Sequence, residues 1–441
     1  MKILLIDPEG IVTGVNTGLG YIASSLKDKG HSVKVLDFNN KNGDETERLA
    51  KLVKNVDVVG ISFKSFTLSH GLKIANVLKK LNFSGKIVAG GPHITIDGLN
   101  FMKEHTNFDY AVLGEGEQTV IELMDVISGK RTPGRVKGLI YRKHSEVKQN
   151  KMREWNNKID EIAFPDYTDF DTVIENEGEI ASYPLVSSRG CPYDCSYCSV
   201  GNVIGKAWRA RSADQVVKEL ENAKNEYSST EFKVLDDNFT LGVQRAKQIC
   251  NKMIDKHVDM GWSCPNGIRA DKLDDELLHL MKNSGCHTIS LGVESGDMDV
   301  FKRINKGEEL ADVEKAVKMI KEHDIRVEGF FIIGLPGSTY EKDKKSIKFA
   351  KELGLDSASF GILVPYPSTP VWDWVKDNKE VKMLGDWKQG FHIGAKEKAI
   401  FETDSYSAKD MVKLYYIANM KMIKKKNIPK AVKIFVKSLF K

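Results

Sequence analysis

Residues 189–199 read RGCPYDCSYCS, which places three cysteines at the spacing C-x3-C-x2-C. They follow the apolar run YPLVSS at residues 183–188, so the pattern predicts a short buried strand with a ligand-bearing loop at its carboxyl end. Thiolates are soft donors that suit iron–sulfur clusters or zinc, and spacings of two and three residues let one loop wrap a single cubane. Three ligands leave the fourth iron of a 4Fe-4S cube open, and an open coordination position belongs to catalysis rather than to structure. A zinc site would need a distant fourth ligand, and there is no second C-x2-C and no nearby His pair. Cys191, Cys195 and Cys198 are therefore the candidate cluster ligands. Six cysteines in 441 residues are too few for a disulfide scaffold, and the scattered Cys250, Cys264 and Cys286 read as small buried hydrophobes.

The loop's position decides the fold around it. Downstream, the segments FKVLDD, MGWSCPN, TISLGVES, VEGFFIIGLP and SASFGILVP read as strands separated by helical stretches. About six such units predict a partial (β/α)6 barrel over residues 183–375, with its working loops at the carboxyl ends of the strands. Upstream, MKILLID, HSVKVLDF, VDVVGISF, GKIVAGG and DYAVLGEGE alternate with the helical patterns GYIASSLKDKG, HGLKIANVLKKLN and TVIELMDVIS. That alternation predicts an α/β, doubly wound, Rossmann-like domain over residues 1–140. Residues 141–182 are polar and turn-rich and read as a hairpin and linker, and residues 376–441 as a helical, basic C-terminal region.

Bulk properties exclude several classes. A net charge of +5, from 66 basic and 61 acidic residues spread over the chain, suggests no dedicated nucleic-acid surface. No apolar run approaches the ~20 residues that a membrane-spanning helix requires, and the first residues turn polar too soon for a secretory signal, so the expected location is cytoplasmic. The basic C-terminus fits a solvated helical face covering the barrel, and also peripheral contact with acidic lipid or an acidic substrate. Tyr366, Trp372, Trp374, Trp387 and Phe391 fit a substrate pocket and core packing equally well.

With Tyr197 before the last cysteine, the loop resembles that of the radical S-adenosylmethionine (SAM) superfamily. WRARS at residues 208–212, LDDNFT at 235–240, GIRADKLDDELLHLMKNSGCHTISLGVESG at 267–296, GFFIIGLPGST at 329–339 and VPYPSTP at 364–370 extend the resemblance over the barrel. The whole chain is similar to the subgroup with an N-terminal cobalamin-binding domain, which includes anaerobic magnesium-protoporphyrin monomethyl ester cyclase and many methylases. The resemblance implies that SAM chelates the open iron and is cleaved reductively to a 5′-deoxyadenosyl radical. It assigns SAM contacts to Tyr197, Asp236 or Asp237, Arg269, Glu294, Gly334 and Gly337. Glu294 is expected at the ribose, with an ion pair to Arg269 as the plainer alternative.

In the N-terminal domain, the loops NTGLGY, GISFKS, GGPHIT and GEGE should cluster at the carboxyl edge of the sheet. They make Gly18, Ser62, Gly90, Gly91, Gly114, Glu115 and Gly116 the candidate cobalamin contacts. The Asp-x-His-x-x-Gly motif is absent, so the lower face of cobalamin is not expected to be ligated by such a His, and His93 reads as a packed or solvent-facing side chain. The implied reaction is methyl transfer to an unactivated carbon through methylcobalamin. The alternatives are a radical SAM oxidoreductase or cyclase without net methyl transfer, and a nonenzymatic cobalamin or iron–sulfur carrier. A nucleic-acid methylthiotransferase fits poorly, because no cysteine precedes Cys191. Expected partners are a small-molecule, lipid or peptide substrate and an external electron donor such as flavodoxin or ferredoxin.

Overall fold

The computed structural model describes residues 1–10, 14–39, 44–389 and 398–422. They divide into two compact units, one formed by Met1–Pro184 with Asn202–Gly205 and Asn222–Ser229, the other by the remaining described residues.

The first unit alternates β1 (Lys2–Asp7), α1 (Thr17–Asp28), β2 (Ser32–Asp37), α2 (Glu45–Val53), β3 (Val58–Ser62), α3 (Leu68–Lys80), β4 (Lys86–Gly90), α4 (Pro92–Glu104), β5 (Tyr110–Val112) and α5 (Glu117–Ile127). The hairpin β6 (Leu139–Lys143) and β7 (Glu146–Gln149) follows, and the sheet order is β2-β1-β3-β4-β5-β6-β7. β1 to β5 are parallel, and their interior residues Leu4, Ile6, Val59, Ile61 and Ala89 are buried, as continuous apolar strands covered by helices on both faces require. The chain reverses its direction of strand addition between β1 and β3, which puts the loops after these two strands at the crevice where such sheets take ligands.

The segment expected to be a hairpin and linker belongs to this first unit. β6 and β7 are its antiparallel edge: Ile140 is fully buried, and Arg142 donates to the carbonyls of Met102, His105 and Phe108. Val35 N donates to Asp169 O at 2.9 Å, and the buried Tyr167 ring stands 5.3–5.8 Å from Phe170, Tyr183 and Tyr227. Aromatic burial, which the polar composition of the segment concealed, is what fastens it.

The second unit is built on a six-stranded sheet in the order β15-β14-β13-β12-β11-β8. Its strands are β11 (Glu231–Val234), β12 (Gly261–Ile268), β13 (Cys286–Glu294), β14 (Arg326–Ile333) and β15 (Ser357–Ile362), together with β8 (Ser182–Leu185), along which the chain passes from the first unit to the second, while β9 (Ser188–Arg189) and β10 (Arg209–Ala210) form a short antiparallel pair. The six neighbours are consecutive members of the series with helices between them, which makes an open (β/α)6 barrel. Alternation sets its two faces: Val327, Phe331 and Ile333 of β14 are buried, while Glu328, Phe330 and Ile332 are half-buried.

The C-terminal region is less helical than expected. A short helix, Pro370–Asp377, leads to an antiparallel pair, β16 (Val381–Met383) and β17 (Phe401–Thr403), before the helix Ala408–Met422. Phe401 anchors the pair, fully buried with its ring 6.0 Å from that of Trp374. The last helix covers the edge of the barrel sheet, where the Asn419 amide exchanges two 3.0 Å hydrogen bonds with the Phe360 backbone. Phe391 and the basic tail from residue 423 lie outside the described residues. Among the described residues no helix is long and apolar enough to cross a membrane.

Candidate active site and cofactor-binding edge

The cluster loop is held by buried polar groups on both sides. Asp236, just past β11, accepts from Ser187 N, Ser187 Oγ and Ser188 Oγ, each at 2.6 Å, so its carboxylate fixes the strand that delivers the loop. Asp237 takes the Gly190 N–H at 3.3 Å, and burial, then the neighbouring Asp236 charge, pushes its pKa up to about 6. Gly190 sits at φ +86°, where a side chain is disfavoured, and turns the chain into Cys191. The WRARS segment acts on the same region: the Trp208 indole donates to Asn238 O at 3.2 Å, and Arg211 forms a buried pair with Glu219. Further along, Ser196 N donates to Ile304 O at 2.8 Å, and Ser196 O accepts from Val371 N at 3.0 Å.

Burial raises all three thiol pKa values, with Cys195 pushed up to about 11 and Cys198 up to about 12. The Cys191 charge further opposes ionisation of Cys195, and the charges of Cys195 and Cys191 that of Cys198, so the three half-buried thiols lie within electrostatic reach of one another. Thiolates in such a place require bound cations, which iron provides on binding. Among the described residues no three His, Cys, Asp or Glu side chains converge on a single ion. The donors of a cubane are spread more widely than those of one ion, and all three here are soft thiolates. Buried polar oxygens without a partner occur in the loop and in the segment after β11: Oγ of Ser196, Oδ1 of Asn238, which is 2% exposed and whose side chain reaches Cys191, and Oγ1 of Thr240. Orphaned polar atoms of this kind fit a pocket that takes a polar ligand.

Glu294 ends β13 at φ +65°, an unusual conformation for a carboxylate side chain, and is buried. Burial holds its pKa above the usual carboxylate range, although Lys306 Nζ is 3.7 Å away, and it accepts a hydrogen bond from the Tyr197 hydroxyl. Its cationic neighbour is thus Lys306 rather than Arg269. Arg269 is committed elsewhere, donating to Lys306 O at 2.6 Å, Gly307 O at 2.7 Å and Asp271 at 2.8 Å, with its face 3.6 Å from the centre of the Tyr193 ring. Gly334 and Gly337, at φ +83° and +84° beside the flexible side chains of Met411 and Arg303, hold left-handed conformations that already call for glycine within the protein's own fold.

In the first unit, Gly18 lies in the first turn of α1, behind the Asn16 cap, and Ser62 and Gly90 pair across the ends of β3 and β4. A side chain on Gly90 would enter open space, whereas one on Gly91, at φ +95°, would meet Phe63 O at 2.7 Å. At Gly90 the edge is therefore a shelf of bare backbone with room beside it, as close approach of a large flat cofactor needs. Gly114, at φ +67°, faces Met152 and Trp155, Glu115 accepts from Asn156 N at 2.9 Å, and Gly116 packs on Ile22. His93 is 1% exposed, 3.2 Å from Ser65 Oγ and edge-on to Phe101, which makes it a packed side chain.

Sequence reasoning missed Asn238, Tyr193, Lys306 and Glu308. Asn238 stood inside a quoted motif, masked by the two acids before it. Residues 305–308, NKGE, had a local signal of their own: Asn305 and Gly307 take left-handed conformations at φ +52° and +69°, for which Asn and Gly are suited.

Comparison with known proteins agrees with this geometry. The radical SAM superfamily model matches residues 185–364, and the B12 binding domain model matches residues 3–124. The chain is 29% identical over 427 residues to cytidylyl-2-hydroxyethylphosphonate methyltransferase of Streptomyces wedmorensis, covering 81% of this chain and 78% of that protein. The fold matches the radical S-adenosylmethionine methyltransferase TsrM from Kitasatospora setae, solved with tryptophan substrate and a SAM analog, with a TM-score of 0.76 at 17% identity over 97% of this chain and 89% of that one. An uncharacterized methyltransferase of Pyrococcus horikoshii is 33% identical over 402 residues, covering 88% of this chain and 86% of that protein. With its cysteine loop on a barrel and a B12-binding domain before it, the chain belongs to the radical SAM superfamily, in the branch that uses a 4Fe-4S cluster, SAM and cobalamin.

Proposed function

We propose that this enzyme transfers a methyl group to an unactivated carbon of a small-molecule, lipid or peptide substrate. The observation that carries the reading is a three-thiolate loop with an open fourth corner on the same chain as a glycine-shelved B12 domain. When bound, the cluster with SAM supplies radical chemistry and cobalamin supplies a transferable methyl group. The work left to the chain is to hold, orient and keep dry. Cys191, Cys195 and Cys198 would take three irons, while Asn238 Oδ1 and Thr240 Oγ1 offer unpaired acceptors to a polar ligand beside the loop. Asp236 and Asp237 fix the loop's approach, and Glu294, oriented by Tyr197 and Lys306, presents a carboxylate at the end of β13. In the first unit, Gly18, Ser62, Gly90 and Gly91 would form the floor for cobalamin, flanked by Gly114, Glu115 and Gly116. An external single-electron donor is required, and an oxygen-sensitive cluster fits a reducing cytoplasm.

The test is anaerobic reconstitution with iron, sulfide and hydroxocobalamin, followed by a low-potential reductant and methyl-labelled SAM. Methyl transfer requires both 5′-deoxyadenosine formation and label in the cobalamin fraction, with Cys195→Ala abolishing the first. Cleavage with no label on cobalamin would instead support the cyclase or oxidoreductase reading.

A further inference from the structure

Arg269 leaves the end of β12 almost fully buried, and every direction of its side chain is used. The edge of the guanidinium is fastened to the Lys306 and Gly307 carbonyls and to Asp271, with Glu308 Oε1 3.4 Å from Nε. Those two carbonyls are turned toward it by the left-handed residues Asn305 and Gly307. Glu308 is itself locked, taking Ala270 N at 2.9 Å and Lys306 Nζ at 2.9 Å. The flat face of the guanidinium remains, and it lies on Tyr193, inside the cluster loop between Cys191 and Cys195. The same segment touches the loop twice more, through Ile304 O to Ser196 N at 2.8 Å and Asn305 Nδ2 to Asp194 O at 3.3 Å.

We propose that Arg269 is a positioning residue for the cluster: it fixes Tyr193 by stacking, and through Tyr193 holds residues 191–195 in the shape that keeps iron. Only arginine serves here, because a planar delocalised cation can hydrogen-bond along its edge while stacking on its face. A lysine would keep the charge and lose both the fork and the plane. This role replaces a direct contact of Arg269 with SAM, and it rests on the cluster reading given above.

The full chain, reconstituted without oxygen, is challenged with a ferrous chelator, and the rate of cluster loss is followed by absorbance. Arg269→Lys and Tyr193→Leu should each lose the cluster about tenfold faster than the parent, while Tyr193→Phe, which keeps the ring, should stay within about twofold. The double variant Arg269→Lys/Tyr193→Leu should be no faster than the quicker single variant, since both remove one contact. A parental rate for Arg269→Lys, equal losses for Tyr193→Phe and Tyr193→Leu, or multiplied effects in the double variant would overturn the clamp. Should Arg269→Lys fail to fold, the Phe–Leu contrast at the half-buried Tyr193 decides alone. A parent that takes up no iron would fail the cluster reading and the clamp together, whereas a parental-like Arg269→Lys removes the clamp only.

Discussion

The cluster loop and the glycine shelf of the first unit, the two edges proposed to bear ligands, both stand at the carboxyl ends of parallel strands, yet they are specified in opposite ways. Around the loop, position is set by buried side chains: Asp236 takes three donors, Arg269 ties three segments, and Glu294, Lys306 and Glu308 form a charged knot. Along the shelf, position is set by missing side chains, with Gly91 pressed on the Phe63 backbone and Gly90 facing empty space. A site made of side chains depends on protonation and partner geometry, and a site made of bare backbone depends on φ and on volume.

The largest effect that sharpens this contrast is expected at Gly91. Alanine there combines a left-handed φ with a Cβ 2.7 Å from a carbonyl oxygen, and should cost the first unit about 3 kcal/mol, read as a lower thermal midpoint. Gly90→Ala, one residue away, should change stability by less than about 0.5 kcal/mol and still weaken cobalamin retention, because it fills space meant for the cofactor. Equal destabilisation by the two would break the distinction between the shelf's backbone and the room above it.

A smaller, pH-dependent effect should belong to the second unit. Asp343 is 2% exposed, accepts from Gly334 N and Ser338 Oγ at 2.9 Å, and is pushed up to about 6 by burial. A raised folded pKa means that its stabilising share is complete below about pH 4 and is lost as pH rises through about 6. Asp343→Asn should flatten that interval, so the variant's midpoint should gain on the parent's between pH 4 and 7. A constant difference across that range would show that Asp343 does not titrate there.

The same contrast explains what is legible in the sequence. Thiol spacing is local and chemically specific, so the proposed cluster ligands could be named from the eleven residues 189–199, and the barrel strand from the six before them. The glycine pairs were legible as loops at strand ends, but not which glycine is forced by sterics and which leaves room, since that depends on Phe63 some thirty residues earlier. Arg269 was seen as a candidate site residue, but its partners within the protein were not legible, because the carbonyls it binds belong to residues 306 and 307, and its stacking partner Tyr193 lies on a different strand's loop. Residues 141–182 looked like a hairpin and linker because their apolar content is a few aromatics, chiefly Tyr167 and Phe170, among many polar residues. The pair β16 and β17 was hidden for a related reason: three-residue strands carry no usable period.

The most direct measurement counts iron and cobalt together in the reconstituted, desalted chain and in two variants. Two separately specified sites require about four irons and one cobalt in the parent, cobalt without the cluster in Cys195→Ala, and the cluster without cobalt in Gly91→Ala. Loss of both metals in either variant, or a parent that keeps iron and no cobalt, would contradict an enzyme that carries the two cofactors on independently built edges.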